Sequence, residues 1–367
     1  MNGCTDDSGG RMRELSEEIR TIKIPDRAAR AACRAHWNRI GKPLYGLGHL
    51  EEYLVQIAGI QRTEHVDIRK KALVVFCADN GVVEEGVSQT GQEVTAVVAE
   101  NIACGRSCSA IMCRRAGVDI FPVDVGIAVD TPHVEKRKCI YGTANMANGP
   151  AMSRKEVLYT IGAGIDKARD LAAAGYRILA SGEMGIGNTT TSAAAASVLL
   201  RQDPAKMAGR GAGLSDEGLQ RKIDVIRRAI AVNAPDPEDP ADVLAKVGGA
   251  DIAALAGLFI GGASAGVPVV IDGFISAVGA LLAARLAPLS REYMIPSHVS
   301  EEPGVRVVMQ ALELEPVIHA GMHLGEGTGA AALFPLLDLA CDVYDGMGTF
   351  EEINVDAYED YTGNQSF

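Results

Sequence analysis

The sequence predicts an α/β fold with a Rossmann-like parallel sheet and helices on both faces. Apolar segments of strand length alternate with helical segments over most of the chain, and such alternation is typical of parallel sheets. Polar and glycine-rich loops follow the predicted strands, at the edge where open α/β sheets bind ligands. With 367 residues, 47% hydrophobic and 22% charged, the chain is long enough for one large α/β domain and an accessory region.

The predicted elements begin with a helical segment over residues 11–60. In it, Ile24-Pro25-Asp26 opens a helix over residues 28–40, and Lys42-Pro43 ends that helix. The alternating elements follow at residues 72–77 (strand), 93–103 and 109–116 (helices), 119–125 (strand), 155–174 (helix), 176–180 (strand), 191–200 (helix), 267–271 (strand) and 330–340 (helix).

One apolar stretch, residues 253–271, is about as long as a membrane span. It contains several glycines and Pro268, and Asp251 and Asp272 bracket it. A buried helix, a glycine turn and a strand explain this pattern better than a membrane helix does. Asp272-Gly273 then lies at the end of a strand.

Polar residues follow the other predicted strands in the same way. Asp79-Asn80-Gly81 comes after the first strand, and Asp124-Val125-Gly126 comes after the next. Because the carboxyl ends of parallel strands share one edge of the sheet, these loops should meet there. A ligand site at this edge is therefore expected.

The first glycine-rich loop is Ser181-Gly182-Glu183-Met184-Gly185-Ile186-Gly187-Asn188-Thr189-Thr190, between a predicted strand and a predicted helix. Glycines let backbone N–H groups turn toward a cavity, and a helix N-terminus favours an anion, so the loop is predicted to hold a phosphate. Asn188, Thr189 and Thr190 can add side-chain hydrogen bonds. The alternative is a tight turn with a capping Asn or Thr. The spacing fits neither a P-loop nor a dinucleotide fingerprint.

The second glycine-rich loop is Leu324-Gly325-Glu326-Gly327-Thr328-Gly329. A glutamate between two glycines is difficult to explain as a packing residue, although exposure at a loop tip would explain it. A carboxylate that lines an apolar pocket is instead suited to general-base chemistry, because burial raises a carboxyl pKa toward neutrality. Glu326 is therefore a candidate base.

Composition narrows the functional class. A formal charge of -12, without a cluster of Lys and Arg, argues against a nucleic-acid binder. The polar segment 1–20 does not resemble a signal peptide, so a cytoplasmic location is expected. The eight cysteines form no C-x-x-C pair, which predicts free thiols and no metal site.

Six motifs, in order along the chain, carry a family resemblance. They are Ala78-Asp79-Asn80-Gly81-Val82-Val83-Glu84-Glu85-Gly86-Val87-Ser88 with Gln92-Glu93-Val94-Thr95, Gly182 to Thr190, Gly209-Arg210-Gly211-Ala212-Gly213-Leu214, Asp272-Gly273-Phe274, Ser297-His298-Val299-Ser300-Glu301-Glu302-Pro303-Gly304, and Leu324 to Gly329. Together they resemble the nicotinate-nucleotide:dimethylbenzimidazole phosphoribosyltransferase family.

The resemblance implies a reaction that needs no cofactor. A base such as 5,6-dimethylbenzimidazole attacks C1′ of nicotinate mononucleotide, which gives the α-riboside 5′-phosphate and nicotinate for the nucleotide loop of cobalamin. Glu326 occupies the place of the catalytic base, and Glu183 matches a second acidic residue in the same cavity. The pyridinium leaving group departs as neutral nicotinate nitrogen, so neither a general acid nor a metal is required.

The resemblance also implies binding residues. The phosphate is expected against the backbone of Gly185, Ile186, Gly187, Asn188, Thr189 and Thr190, with Gly211, Lys222 and Ser300 as further contacts. Lys222 has an alternative reading as a solvated helix residue. Ser88, Met184 and Leu324 are candidates for the acceptor pocket, and Asp272 and Gly325 are further candidate substrate-binding residues.

The family pattern further implies a homodimer. Residues 1–65 and 341–367 are expected to form a small helical domain that covers the partner's crevice, and residues 66–340 the large catalytic domain. Two departures from the pattern, at residues 42–48 and at Asn80, where many members carry histidine, bear on which base is accepted. The alternatives are a phenol-accepting or p-cresol-accepting subunit of a heterodimer, a non-catalytic nucleotide-binding module, and a hydrolase of the same nucleotide.

Overall fold

The computed structural model describes residues 8–361. Within them, six parallel strands form one sheet. The strands are β1 (Lys71–Ala78), β2 (Val118–Gly126), β3 (Glu135–Lys136), β4 (Ile178–Met184), β5 (Val269–Ile271) and β6 (Met294–Pro296). The helices are α1 (Ser8–Thr21), α2 (Arg27–Arg39), α3 (His49–Gln61), α4 (Glu93–Ala103), α5 (Cys108–Ala116), α6 (Arg154–Ala173), α7 (Asn188–Leu199), α8 (Pro204–Met207), α9 (Asp216–Asn233), α10 (Pro240–Val247), α11 (Ala250–Ala265), α12 (Phe274–Leu286), α13 (Gly304–Ala311) and α14 (Thr328–Gly346), with 3-10 helices at Gly81–Glu85 and Pro288–Tyr293.

The order of the strands locates the ligand crevice. Across the sheet the order is β3-β2-β1-β4-β5-β6, so the chain first builds one half outward from β1 and then the other half from β4. The direction of building reverses between β1 and β4. In an open parallel sheet this reversal leaves a crevice at the carboxyl ends of the two strands, where ligands bind.

Strand β1 is buried on both faces and separates two apolar cores. Ala72, Val74 and Phe76 belong to one core with residues from helices that include α6, α7, α11 and α12. Leu73, Val75 and Cys77 alternate with them and belong to the other core, with residues from α2, α3, α5 and α14. Because successive strand residues point to opposite faces, helices cover both sides of the sheet. The predicted fold class is confirmed.

The helices of both chain ends meet on the second face. The ring of Trp37 in α2 packs against Tyr344 in α14 with their centroids 5.0 Å apart, and His36 hydrogen-bonds to the Tyr344 carbonyl at 2.8 Å. Their buried residues share one core with β1. The expected division into a small domain and a large domain stays a prediction, and residues 1–7 and 362–367 of it lie outside the described residues.

Several predicted boundaries are wrong near the crevice. Strand β4 continues past residue 180 to Met184, because β1 pairs with it as far as Cys77 opposite Met184. Glu183 therefore lies on a strand rather than in a loop. Helix α7 begins at Asn188 instead of residue 191, so Asn188, Thr189 and Thr190 form its first turn.

Other differences concern short or apolar elements. Strands β3 and β6 were not predicted, since two or three residues cannot show a period. The apolar stretch forms α11 and β5, as the sequence indicated. Among the described residues, no helix combines the length and hydropathy that a membrane crossing needs.

Candidate active site

A partly open cavity of about 170 Å³ lies at the carboxyl ends of β4 and β5. Its walls come from β4 and the start of α7, from the loop after β5, and from the loop before α14. Predicted site residues that line it are Glu183, Glu326, Ser88, Met184, Gly185, Ile186, Gly187, Asn188, Thr189, Gly211, Asp272, Ser300, Leu324 and Gly325. The fold therefore brings the two glycine-rich segments together although their glutamates lie far apart in the sequence.

The Glu326 loop has an unusual backbone. Gly325, Glu326 and Gly327 all have positive φ angles, of 83°, 59° and 79°. Glycine adopts this left-handed region freely, whereas a residue with a Cβ does so at a cost of about 1–2 kcal/mol. The flanking glycines thus let the chain turn sharply, and Glu326 itself carries strain.

Two neighbours hold the Glu326 loop in place. The Ser109 hydroxyl at the start of α5 donates a hydrogen bond of 2.9 Å to Oε2 of Glu326. Gly182 in β4 lies directly beneath the loop, and a Cβ on Gly182 would approach the carbonyl carbon of Glu326 and the amide nitrogen of Gly327 to 2.9 Å. The strand and the loop are therefore in direct backbone contact.

Asp272 anchors the same loop to the end of β5. Its Oδ2 accepts from the Gly327 N–H at 3.1 Å, and its Oδ1 accepts from the Gly329 and Ala330 N–H groups at 2.7 and 3.1 Å. Both oxygens of this buried carboxylate are therefore engaged with the N-terminus of α14. Asp272 thus supports the Glu326 loop, and it also lines the cavity. Its predicted contact with substrate stays a prediction.

Glu183 is almost fully buried, and its surroundings are acidic. The Asn188 amide donates to Glu183 and, at 3.0 Å, to Oδ2 of Asp251. Burial, followed by the charges of Asp251 and Asp272, raises the pKa of Glu183 to about 8. Burial also raises the pKa of Asp251 to about 6. At pH 7 Glu183 is thus mainly protonated.

The start of α7 is open to an anion. Its N-cap is Gly187, with a φ of 91°, and no side chain caps the helix. The Thr95 hydroxyl accepts from the Ile186 N–H at 3.1 Å and so fixes the loop that leads into the helix. In the first turn the N–H groups of Asn188 and Thr190 donate to the carbonyls of Gly185 and Gly187, at 3.1 and 2.9 Å. The helix dipole and the absence of a capping side chain still favour an anion at this helix start.

Lys222 supplies positive charge behind this helix. Its side chain is fully buried, and its ammonium group donates to Oγ1 of Thr189 at 2.8 Å and to the Gly209 carbonyl at 2.9 Å. Burial lowers the pKa of Lys222 to about 8. The reading of Lys222 as a solvated residue is therefore wrong. A buried ammonium without a carboxylate in hydrogen-bonding contact suits a negatively charged ligand.

Three helix starts lie at or beside the cavity, and they differ in what covers their N–H groups. Gly273 and Phe274 at the start of α12 line the cavity, as the start of α7 does. At α14 the N–H groups already hold the Asp272 carboxylate, whereas no side chain of the described residues caps α7 or α12. A phosphate is consequently disfavoured at α14, where it would meet a negative charge, and the ammonium of Lys222 favours α7 over α12. The phosphate site at the first glycine-rich segment stays a prediction.

Further polar groups face the cavity without a partner. The buried hydroxyl of Ser300 and the buried Oε2 of Glu302 accept or donate no hydrogen bond in the described part of the protein. Oε1 of Glu302 accepts from the Gly211 N–H at 2.9 Å. Buried polar groups of this kind normally find a partner, so a ligand with hydroxyl groups fits here.

Two predicted residues do not line the cavity. Lys222 reaches it through Thr189, and Thr190 has a fully buried hydroxyl on the inner side of α7. Asn80 is also buried away from the cavity, where its Oδ1 accepts from the Thr191 hydroxyl at 3.3 Å. Its departure from the family pattern therefore changes a residue that packs against the segment 185–187 rather than one that lines the cavity.

Sequence reasoning did not single out several residues of the site. His298 and Glu302 line the cavity and stand in a motif that was quoted without a role for either residue, and the same holds for Arg210. Ser109 had no signal in the sequence, because it is 217 residues away from Glu326. Within residues 8–361, no group of His, Cys, Asp and Glu is arranged to hold a metal ion.

Comparisons with known proteins agree with this geometry. A family model described as phosphoribosyltransferase matches residues 22–355. The nicotinate-nucleotide:dimethylbenzimidazole phosphoribosyltransferase of Acetivibrio thermocellus is 47% identical over 322 residues, which are 87% of this chain and 92% of the relative. The enzyme of the same name from Ruminiclostridium cellulolyticum is 45% identical over 347 residues, 94% of this chain and 99% of the relative.

A solved structure gives the same result. The crystal structure of CobT from Thermus thermophilus superimposes with a TM-score of 0.85 and 40% sequence identity, and the match covers 90% of this chain and 100% of that one. The resemblance stated from the motifs is thereby confirmed. The chain belongs to the phosphoribosyltransferase family, among the nicotinate-nucleotide:dimethylbenzimidazole phosphoribosyltransferases.

Proposed function

We propose that the protein transfers the 5-phosphoribosyl group of nicotinate mononucleotide to 5,6-dimethylbenzimidazole or a related lower-ligand base. The products are the α-riboside 5′-phosphate, which enters the nucleotide loop of cobalamin, and free nicotinate. The observation that carries this proposal is the shared cavity: an open helix start for a phosphate lies opposite a strained carboxylate on a glycine-framed loop.

One end of the cavity binds the phosphate and so sets the position of the donor nucleotide. The phosphate lies on the N–H groups of the first turn of α7, with Lys222 behind Thr189. The unpartnered Ser300 hydroxyl and Glu302 carboxylate oxygen are placed to receive further polar groups of the nucleotide. Such positioning holds the ribose C1′ in reach of the acceptor and contributes much of the rate.

The chemical step needs one base. The C1′–N bond breaks, and its electron pair neutralises the pyridinium nitrogen of the leaving nicotinate. The unprotonated ring nitrogen of the azole bonds to C1′, and the N–H on the other ring nitrogen gives its proton to Glu326. General-base assistance of this kind contributes about 10²–10⁴-fold.

Glu183 acts on the donor side of the reaction. The protonated form predominates in the free protein at pH 7, because the pKa is raised to about 8. A bound pyridinium and an oxocarbenium-like ribose are cationic and favour the charged carboxylate. Glu183 therefore loses its proton when the donor binds and stabilises positive charge near C1′.

The acceptor pocket is formed by side chains at the mouth of the cavity. Ser88 and Met184 are half-buried, and Leu324 is 53% exposed. Apolar side chains with one hydroxyl suit a flat aromatic base. The exposure of Leu324 supports the further proposal that a second subunit covers this mouth. A homodimer is proposed rather than a pair of unlike subunits, because the similar relatives are named dimethylbenzimidazole enzymes and not phenol-using ones.

The location proposed for the protein is the cytoplasm. Each cysteine that the structure describes is a free thiol, in keeping with a reducing compartment. The homodimer is tested by light scattering after size-exclusion chromatography, in which a mass near twice 38.5 kDa supports it.

The function is tested by nicotinate release from nicotinate mononucleotide, with and without dimethylbenzimidazole, a purine or a phenol. Base-dependent release with formation of the matching α-riboside phosphate supports the transferase and identifies its acceptor. Release without any base indicates a hydrolase, and binding without turnover indicates a nucleotide-binding module. The Glu326→Ala protein is the control, because it should bind the donor and release little nicotinate.

A further inference from the structure

Two serines behind the catalytic loop form a hydrogen-bonded chain that ends at Glu326. The Ser109 hydroxyl donates to Oε2 of Glu326 at 2.9 Å, and the Ser107 and Ser109 hydroxyl oxygens are 2.9 Å apart. Ser109 is fully buried and Ser107 nearly so, and neither lines the cavity. Both are outside the substrate's reach and act only through Glu326.

The hydrogen bonds that join Ser107, Ser109 and Glu326 are all donated in the same direction, toward the carboxylate. Ser107 is the N-cap of α5, and its oxygen accepts from the Ala110 N–H at 3.1 Å. Ser109 gives its only hydroxyl proton to Glu326, so the proton of Ser107 is directed at the Ser109 oxygen. The N-terminal end of α5 adds partial positive charge at the same place. The hydrogen bonds thus run from Ser107 through Ser109 to the Glu326 carboxylate.

Glu326 needs this support more than an ordinary glutamate does. Its side chain has three rotatable bonds, and it stands on a strained turn between two glycines. A general base works only when its oxygen is held close to the proton that it removes. Ser109 engages Oε2, which leaves Oε1 to meet the acceptor.

We propose that Ser109, backed by Ser107, is the positioning residue for the catalytic base: it fixes the Glu326 carboxylate. The inference rests on the proposed transferase function, since it assumes that Glu326 removes the azole proton. Because a general base acts only when its oxygen is held near the proton that it removes, the loss of this hydroxyl should lower turnover.

The test compares Ser109→Ala with wild type in the base-dependent release of nicotinate. We expect kcat to fall about 10-fold, with KM for nicotinate mononucleotide unchanged within about 2-fold, because the donor site is untouched. Ser109→Cys keeps a weak donor, so a partial return of kcat in this variant separates the lost hydrogen bond from a general effect on structure. Ser107→Ala should show the same changes at smaller size.

Ser197→Ala is the matched control. Ser197 is another buried serine, and among the described residues its hydroxyl donates to the Ala193 carbonyl of its own helix, at 2.7 Å. Its loss should leave both kcat and KM as in wild type. If Ser109→Ala does not fold, Ser109→Cys keeps a weak donor of similar size, and a fall in kcat of less than about 10-fold with KM unchanged is expected.

The inference is overturned if Ser109→Ala turns over within about 2-fold of wild type, or if KM for nicotinate mononucleotide rises in step with the fall in kcat. An active wild type with an unimpaired Ser109→Ala would defeat only this inference. A wild-type protein without base-dependent release would defeat the proposed function itself. The two failures are therefore distinguishable.

Discussion

The backbone at Glu326 makes a specific prediction about stability. Glu326 has a φ of 59°, in the left-handed region that disfavours any residue with a Cβ. Glu326→Gly and Glu326→Ala both remove the carboxylate and its bond to Ser109. They differ only in whether the Cβ remains on the strained backbone. The difference between the two variants therefore isolates the strain that the catalytic residue imposes.

The size of this difference follows from two opposing effects. Removing the Cβ relieves roughly 1–2 kcal/mol of left-handed strain. The added freedom of glycine in the unfolded chain costs about 0.4–1 kcal/mol. Glu326→Gly should thus be more stable than Glu326→Ala by about 0.5–1 kcal/mol, which is roughly 1 °C in Tm for a chain of this length.

Urea unfolding of both variants measures the difference in their free energies of unfolding, and the comparison requires equal m-values. Differential scanning calorimetry gives the difference in Tm as a second measurement. Base-dependent turnover should fall about 10²–10⁴-fold in both, because each has lost the general base. A result in which Glu326→Ala is as stable as Glu326→Gly, or more stable, would refute the reasoning. Backbone strain at Glu326 would then make no measurable contribution to the stability of the protein.

Three further predictions concern the remainder of the cavity. Because burial raises the pKa of Glu183 to about 8, binding of the donor's cationic pyridinium near pH 7 should release a proton from Glu183. Calorimetry in buffers of different ionisation enthalpy measures this release, and Glu183→Gln should lower it. Lys222→Met should raise KM for nicotinate mononucleotide about 10–100-fold with little change in kcat, since it removes the buried positive charge that acts on the proposed phosphate site through Thr189. An equal fall in kcat would contradict the assignment. Gly182→Ala should lower kcat in base-dependent nicotinate release, because its Cβ would reach the backbone of the Glu326 loop. Gly149→Ala is the control and should behave as wild type in this assay, because the space around its new Cβ is open.

The fold was predictable because its signals are local. Apolar runs followed by polar loops mark β1, β2, β4 and β5 in the sequence, and helical patterns lie between them. The exact end of β4 was not predictable in the same way. Ser181, Gly182 and Glu183 have the composition of a loop, and only pairing with β1 keeps them in the strand.

The residues of the candidate site also differ in how well the sequence predicts them. The motifs identified the residues that face the cavity, because glycines and carboxylates in such loops are unusual on their own. They did not identify what holds those residues. The support of Glu326 by Ser109 and Asp272, and the burial of Lys222, arise from contacts between distant parts of the chain. Such contacts cannot be inferred from the spacing of residues in the sequence, because they form only when the chain has folded.

The carboxylate of Asp272 has a consequence for where an anion can bind near Glu326. Helix α14 begins two residues after Glu326, and uncovered N–H groups at its start would attract an anion to that place. Asp272 occupies these N–H groups from within the protein. Without this one carboxylate, we expect free phosphate to bind beside Glu326 and to inhibit turnover.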